Sequence, residues 1–266
     1  MPGFRTAVVS DEDVDILVRG PVTTQDIAYV RHAVAGARLT GTGVSHIRFK
    51  LAEYRGGDRE PVAVAQLNVE LSSRMVRAQA SAGTVAEAID RAVAALVPRV
   101  ARLERRLTHA EAGPPSFTGE AWDLRTARTI PPVIKIGGKA RRVARHKACP
   151  PAAQNLGAAA LTMDLRDYDF HLFVEGASGQ DAVATRAGAA GYRVGADRPD
   201  LLESAPDGVP VADAPARLPS LTLPEAVRAL DASAAAFLPF TGVGSGRAAV
   251  LYRRFDGHLG LLTPMW

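Results

Sequence analysis

Residues 84–109, with the sequence TVAEAIDRAVAALVPRVARLERRLTH, carry the longest periodic pattern in the front half of the chain and decide the fold there. Thr84 followed by Glu87 is a capping-box pattern, which predicts that a helix begins here. Pro98 predicts a local kink in that helix. Helical spacing places six apolar residues on one face, which we expect to pack on a sheet: Ile89, Val93, Leu96, Val100, Leu103 and Leu107.

Five arginines recur on the other side of the same predicted helix: Arg91, Arg99, Arg102, Arg105 and Arg106. Only Asp90 and Glu104 accompany them on this face. Contacts to nucleic-acid phosphates require positive charge and reach, and no special sequence. The row is therefore either an ordinary solvated helix face or a surface that binds RNA.

The elements before this helix predict a β-α-β-β-β-α two-layer domain over residues 1–110. Alternating apolar residues predict strands at 14–18, 46–54, 62–71 and 74–80. Thr23 or Thr24 can cap a helix that runs to about Arg38. Basic residues from these elements are expected to join the arginine row in binding rRNA: Arg31, Arg38, Arg48, Lys50 and Arg77.

Composition limits the class of protein. The 266 residues are 47% hydrophobic and 23% charged, which is typical of a globular chain with one to three domains. The single cysteine, Cys149, excludes an internal disulfide framework and a cysteine-based zinc site, and fits a reducing cytoplasm. We find no 18-residue apolar stretch and no pattern of a secretory signal.

The positive charge of the chain is concentrated in its middle. The sequence pI is about 9.5, and residues 129–150 hold six Lys or Arg residues and no Asp or Glu. Residues 111–144 lack periodicity and predict a linker with this basic segment at its end. The segment 135–147 is either a flexible tether or a second contact with RNA, and we favour the tether, which would act at high effective concentration.

The rear half contains a weak internal repeat with an offset of 67 residues. Each copy, 145–200 and 218–266, predicts a small α-β-β-β unit, which makes the whole chain an α+β protein. Such short units need a partner surface to complete their cores. Five residues of the second copy are expected at an interface between copies: Phe237, Phe240, Tyr252, Arg253 and Arg254. The null alternative for Tyr252–Arg254 is an ordinary exposed edge strand.

No group of residues predicts an active site, a cofactor or a metal centre, and we expect a protein that is not an enzyme. Gly242–Gly246 matches neither a nucleotide-binding loop nor a nucleophile elbow, and predicts a hairpin turn. The basic surroundings of Cys149 would lower the pKa of its thiol. A hydrolase would need a nucleophile paired with a base, and none can be located.

Several segments resemble long-form ribosome hibernation promoting factors. Residues 250–262, VLYRRFDGHLGLL, are similar to the C-terminal signature of that family, and Arg145-His146-Lys147 resembles the start of its C-terminal domain. In the front half, Arg77-Ala78-Gln79 and Ala88-Ile89-Asp90 resemble its last strand and last helix. The first repeat departs from the signature, since it has Thr185-Arg186-Ala187 in place of Tyr-Arg-Arg.

The resemblance implies a factor that binds the 30S subunit and the 70S ribosome in the channel used by mRNA and tRNA, contacts 16S rRNA, and inhibits translation. In that family the C-terminal domain pairs with a copy on another molecule and joins two ribosomes. If the two repeats of this chain pair with each other instead, we expect it to stabilise single 70S particles. The alternative hypothesis is a protein-interaction module whose front domain is a degenerate RNA-binding scaffold.

Overall fold

The computed structural model describes residues 6–11, 14–37, 44–56, 59–110, 122–128 and 141–265. The chain divides into two compact units. The first contains residues 1–114 with 165–167, and the second contains 115–164 with 168–266. Helices and mixed sheets are present in both, so the predicted α+β class is confirmed. No described helix is long and apolar enough to cross a membrane.

The first unit is a five-stranded sheet with two helices. Its elements are β1 (Thr6–Asp11), β2 (Val14–Arg19), α1 (Thr24–Gly36), β3 (Val44–Gly56), β4 (Arg59–Leu71), β5 (Arg74–Ala82) and α2 (Val85–Ala110). The strands lie in the order β1-β2-β3-β4-β5, with β2 and β3 parallel and the other pairs antiparallel. The sequence pattern did not predict β1, and the other elements match it to within a few residues.

The core of this unit forms where alternating strand residues meet the apolar face of α2. Ile47, Phe49 and Leu51 of β3 are buried, as are Ile89 and Leu96 of the helix. Thr23 caps α1 through the predicted capping box, in which the Thr23 hydroxyl accepts from the Asp26 N–H and the Asp26 carboxylate accepts from the Thr23 N–H. Pro98 lies inside α2, which continues past it.

The second unit contains two five-stranded sheets. Its elements are β6 (Val143–Cys149), β7 (Ala153–Gln154), α3 (Leu156–Arg166), β8 (Phe170–Glu175), β9 (Asp181–Arg186), β10 (Tyr192–Ala196), β11 (Ala216–Arg217), β12 (Ser220–Leu221), α4 (Leu223–Asp231), β13 (Phe237–Gly242), β14 (Ala248–Arg253) and β15 (Leu259–Pro264). The strand orders are β11-β10-β9-β8-β7 and β12-β13-β14-β15-β6. A short strand thus precedes the helix of each predicted repeat.

The two sheets exchange their outermost strands. β6 precedes the first repeat in sequence, yet it pairs in parallel with β15 of the second repeat. β11 directly precedes the second repeat, yet it pairs in parallel with β10 of the first. Each sheet is therefore completed by the segment that leads into the other repeat.

Equivalent arginines close the end of the helix in both repeats. The Arg186 guanidinium donates to the carbonyls of Met163 (3.0 Å) and Tyr168 (2.8 Å). At an offset of 67 residues, Arg253 donates to the carbonyls of Leu230 (2.6 Å) and Ala235 (2.9 Å). These carbonyls lie at or just after the C-terminal end of a helix, where acceptors lack partners within the helix and cations are favoured.

Apolar residues of the two sheets pack together in one cluster. Leu172 and Val183 of the first repeat are buried with Leu218, Ala248 and Val250. Phe170 and Phe237, which are equivalent by the 67-residue offset, lie with ring centroids 4.8 Å apart.

An ion pair also links the two repeats. Arg247 contacts the Asp181 carboxylate with two nitrogens, at 2.6 and 2.9 Å. The Ala248 N–H donates to the same carboxylate at 3.1 Å. Ala248 is the residue equivalent to Asp181 by the offset of 67.

Candidate nucleic-acid interface

One set of predicted RNA-binding residues projects from the open face of the first sheet. Arg48 and Lys50 are exposed and alternate with the buried residues of β3, so their side chains lie on the face away from the helices. In register, Arg48 is opposite Asn68, which is opposite Arg77 on β5. We call Arg48, Lys50 and Arg77 the sheet-face cations. Asp15 lies at one end of this row, with its carboxylate 3.4 Å from the Arg48 guanidinium.

A second set projects from the helices. We call the described members the helix-face cations: Arg31, Arg91, Arg102, Arg105 and Arg106. Arg31, Arg91 and Arg105 are exposed, and Arg102 and Arg106 are half-buried. Arg91 pairs with Glu87 one turn earlier (2.5 Å) and donates to the Ser81 carbonyl (3.1 Å). Arg38, also predicted to bind rRNA, lies outside the described residues.

Arg99 does not belong to this surface, and its prediction as an exposed RNA contact is wrong. The residue is only 6% exposed. Its guanidinium lies 2.8 Å from the Asp167 carboxylate, and Asp167 also accepts from the Gln79 N–H at 2.6 Å. Arg99 is three residues from Leu96 and four from Leu103, so it lies at the border of the apolar stripe and enters the core.

The two sets of cations therefore lie on opposite faces of a two-layer unit. α2 packs on β4 and β5, and the buried residues of β3 and β5 face the helices. The sheet-face cations alternate with those buried residues and point the other way. The sequence pattern predicted one basic surface, because residue numbers alone do not show on which side of a sheet a strand residue lies. Such an arrangement suits a partner that surrounds the unit, such as the walls of an RNA channel.

The predicted interface residues of the second repeat divide between two environments. Phe237 and Tyr252 face Phe170 of the first repeat, at centroid distances of 4.8 and 5.9 Å. Phe240, in contrast, is buried against α4. The edge-strand alternative for Tyr252 is wrong, since β14 lies between β13 and β15.

The two arginines of the Tyr-Arg-Arg motif are also separate from that contact. Arg253 closes the end of α4 and is largely buried, with its side chain 11% exposed. Arg254 pairs with Asp256 at 2.6 Å within the turn before β15. Arg253 and Arg254, like Phe240, are therefore not at the contact between the repeats, where we had expected all three.

The basic segment before the first repeat is a strand over 143–149 and not a tether there. Lys135 and Lys139 lie outside the described residues. Cys149, at the end of the strand, also differs from expectation: burial raises the pKa of its thiol, although the nearby Lys147 acts to lower it. Gly242–Gly246 forms the predicted hairpin turn, closed by hydrogen bonds to the Gly242 carbonyl.

The sequence analysis missed a buried ionic cluster in the first repeat. Asp164 lies 3.1 Å from the Arg186 guanidinium and accepts a hydrogen bond from the Tyr192 hydroxyl. Burial and the Asp164 carboxylate raise the pKa of Tyr192 far above its ordinary value. The signal was present, since Asp164 and Arg186 align with Asp231 and Arg253 in the repeat.

Residues 122–128, predicted as linker, are held against that cluster. The Asp123 N–H donates to Asp164 at 3.0 Å, and the Trp122 ring contacts Tyr192 edge-on at 5.7 Å. The indole N–H of Trp122 donates to the Gly208 carbonyl at 2.8 Å. Among the described residues, no group of three His, Cys, Asp or Glu residues could hold a metal ion.

Comparison with known proteins agrees with these features. Residues 211–261 match the family described as sigma 54 modulation/S30EA ribosomal protein C terminus. The dormancy associated translation inhibitor of Mycobacterium tuberculosis (strain CDC 1551 / Oshkosh) is 31% identical over 232 residues, which cover 84% of this chain and 77% of the relative. The chain belongs to the long-form ribosome hibernation promoting factor family. The protein of the same name from strain H37Rv matches this family member to the same extent.

Two solved structures resemble part of this hibernation-factor chain. A ribosomal subunit interface protein from Coxiella burnetii covers 35% of this chain and is itself covered to 98%, with 11% identity and a TM-score of 0.31. The N-terminal domain of Protein Y from Thermus thermophilus covers 36% of this chain and is covered to 99%, with 25% identity and a TM-score of 0.28.

Proposed function

We propose that the protein is a ribosome hibernation factor that binds the small subunit at the mRNA and tRNA channel, inhibits translation and stabilises idle ribosomes in the cytoplasm. Membership of the family, through relatives named as translation inhibitors, carries this proposal. The first unit supports it, because cations on both the sheet face and the helix face can contact RNA on two sides of a channel.

The contact with 16S rRNA is expected to depend on charge. Each phosphate neutralised by Lys or Arg releases counterions, so affinity falls steeply with salt. Arg102→Glu with Arg105→Glu changes the helix face without touching the buried Arg99. We expect this variant to lose co-sedimentation with 30S and 70S particles at moderate salt, while wild-type protein is retained. A matched control is Arg193→Glu with Arg198→Glu, two exposed arginines of the second unit. Equal retention of both variants would contradict binding by the helix face.

We also propose that the two repeats, 145–200 and 218–266, form an internal pseudo-dimer in place of a dimer between molecules. The exchange of β6 and β11 supports this, since each repeat completes the sheet of the other. In a two-fold symmetric interface, residues near the axis contact their own equivalents. Phe170 and Phe237 do so, and Asp181 contacts its equivalent Ala248.

The internal pairing predicts stabilisation of single 70S particles. The surface that would receive a second molecule is filled by the other repeat. Sucrose-gradient sedimentation of ribosomes with the purified full-length protein tests this prediction. We expect a 70S peak that survives low magnesium, without a 100S peak. Abundant 100S particles that disappear when Phe237 is changed to Asp would overturn it.

A further inference from the structure

β6 is an exposed edge strand, and its position in the sheet is fixed. On one side it pairs with β15 in parallel, with Arg145, His146 and Lys147 opposite Gly260, Leu261 and Leu262. No other described strand pairs with its outer edge. All five residues from 144 to 148 are exposed. An edge strand with charged side chains resists pairing with another sheet, which disfavours a protein strand as its partner.

Arg142, Arg145 and Lys147, which we call the β6 cations, have no ion pair among the described residues, whereas most arginines of this unit do. His146 is engaged, since its Nε2 lies 2.9 Å from the Thr263 hydroxyl. Ten arginines of the second unit pair with a carboxylate: Arg125, Arg128, Arg141, Arg186, Arg193, Arg198, Arg217, Arg247, Arg253 and Arg254.

This contrast is informative because the unit has an excess of acidic residues. Residues 151–266 contain 13 Asp or Glu and nine Lys or Arg. Against that background, three neighbouring cations on one strand form a local positive ridge. Arg145 and Lys147 lie two residues apart on the same side of the strand, at a separation of roughly 6.6 Å along its axis. Two such cations can contact successive phosphates of one nucleic-acid strand, while outward N–H groups of the edge can donate to phosphate oxygens.

We propose that the β6 cations bind the phosphate backbone of ribosomal RNA, as an anchor separate from the first unit. This inference rests on the proposed function, which supplies the ribosome as the polyanion. The strand holds the cations on a folded surface, so less conformational entropy is lost on binding than for a flexible basic tether. Two linked anchors also raise the overall affinity, because the second contact forms at high effective concentration.

The test compares two triple variants of the full-length protein in binding to 70S particles across a salt series. Changing Arg142, Arg145 and Lys147 to Gln removes three phosphate contacts, and we expect the slope of log K against log salt to fall by about two to three. The control changes Arg193, Arg198 and Arg217 to Gln. These arginines are 56%, 60% and 73% exposed and already paired with carboxylates, so the slope should stay at the wild-type value.

The outcomes separate this inference from the proposed function. If Arg102→Glu with Arg105→Glu abolishes binding and the β6 triple leaves the slope unchanged, the hibernation function stands and the β6 anchor is refuted. An equal fall in both triples would show an effect of net charge alone and would also refute it. If wild-type protein does not bind ribosomes, the proposed function itself fails.

A second measurement does not depend on removing charge. A photo-crosslinking amino acid at the exposed Ala144, in the middle of the ridge, should give crosslinks to rRNA on the 70S particle. Crosslinks to ribosomal proteins alone would overturn the assignment of RNA as the partner.

Discussion

The buried cluster of the first repeat gives a sharp prediction, because the second repeat supplies its own control. Asp164 and Arg186 have side chains that are each 1% exposed. Their equivalents, Asp231 and Arg253, are 39% and 11% exposed and lie 3.8 Å apart. Removing one partner of a buried ion pair costs roughly 3–5 kcal/mol, because the other charge stays buried without compensation. An exposed pair is worth about 0–1 kcal/mol.

Asp164→Ala should therefore lower the free energy of unfolding of the second unit by about 3–5 kcal/mol. The change leaves the Arg186 guanidinium and the Tyr192 hydroxyl without their shared acceptor, and removes the acceptor of the Asp123 N–H. Asp231→Ala should cost about 1 kcal/mol or less. Asp164→Asn keeps one oxygen acceptor and should fall between the two.

Urea unfolding followed by Trp122 fluorescence measures this difference. Trp122 contacts Tyr192, so its emission reports the cluster directly. The measurement uses a Trp266→Phe background, in which Trp122 is the sole tryptophan. A loss of stability that is the same for Asp164→Ala and Asp231→Ala would refute the argument from burial. So would a loss below about 1 kcal/mol for Asp164→Ala, the range expected of an exposed pair.

Two further predictions concern other turns and strands of the second unit. A Cβ at Gly260 would overlap the ring of Tyr252, its cross-strand neighbour, so Gly260→Ala should cost about 1–3 kcal/mol in thermal unfolding. Gly244→Ala, at a site with open space, should be neutral, and equal effects would contradict this reasoning. Burial would raise the pKa of Glu175, but hydrogen bonds from Ser178 and Ala177 outweigh it and lower the pKa. A lowered pKa stabilises the fold above the unfolded-state value of about 4.3, and that contribution is lost as the pH falls through the folded value. Glu175→Gln should thus be destabilised at pH 7, with the difference from wild type shrinking below about pH 4; a difference independent of pH would contradict it.

Patterns with a single strong period were predictable from the sequence. The apolar stripe of α2 and the alternation in β3 both identify their buried faces, because each buried residue recurs at the period of its element. The capping box at Thr23 was readable for the same reason, since it depends on two residues three positions apart.

What could not be predicted depends on neighbours that are distant in sequence. Arg99 was assigned to the exposed row because its helical angle is intermediate, and its burial depends on Asp167, 68 residues away. The strand β6 lacks a clear alternation, because it is an edge strand that obtains its register from β15, more than 100 residues later. The separation of sheet-face and helix-face cations likewise required knowing which side of the sheet the helices cover.

The two repeats have taken different roles, and the buried cluster explains why. In the first repeat, the segment 122–128 and residues of the loop after β10 cover the apolar core, and the arginine at the helix end is fully buried with its carboxylate. The second repeat keeps an exposed Asp231 and contains the segment that matches the ribosomal protein family. It also carries β6 at its edge. The covered first repeat therefore acts as the internal partner, while the second repeat with β6 presents the surface that is available to the ribosome.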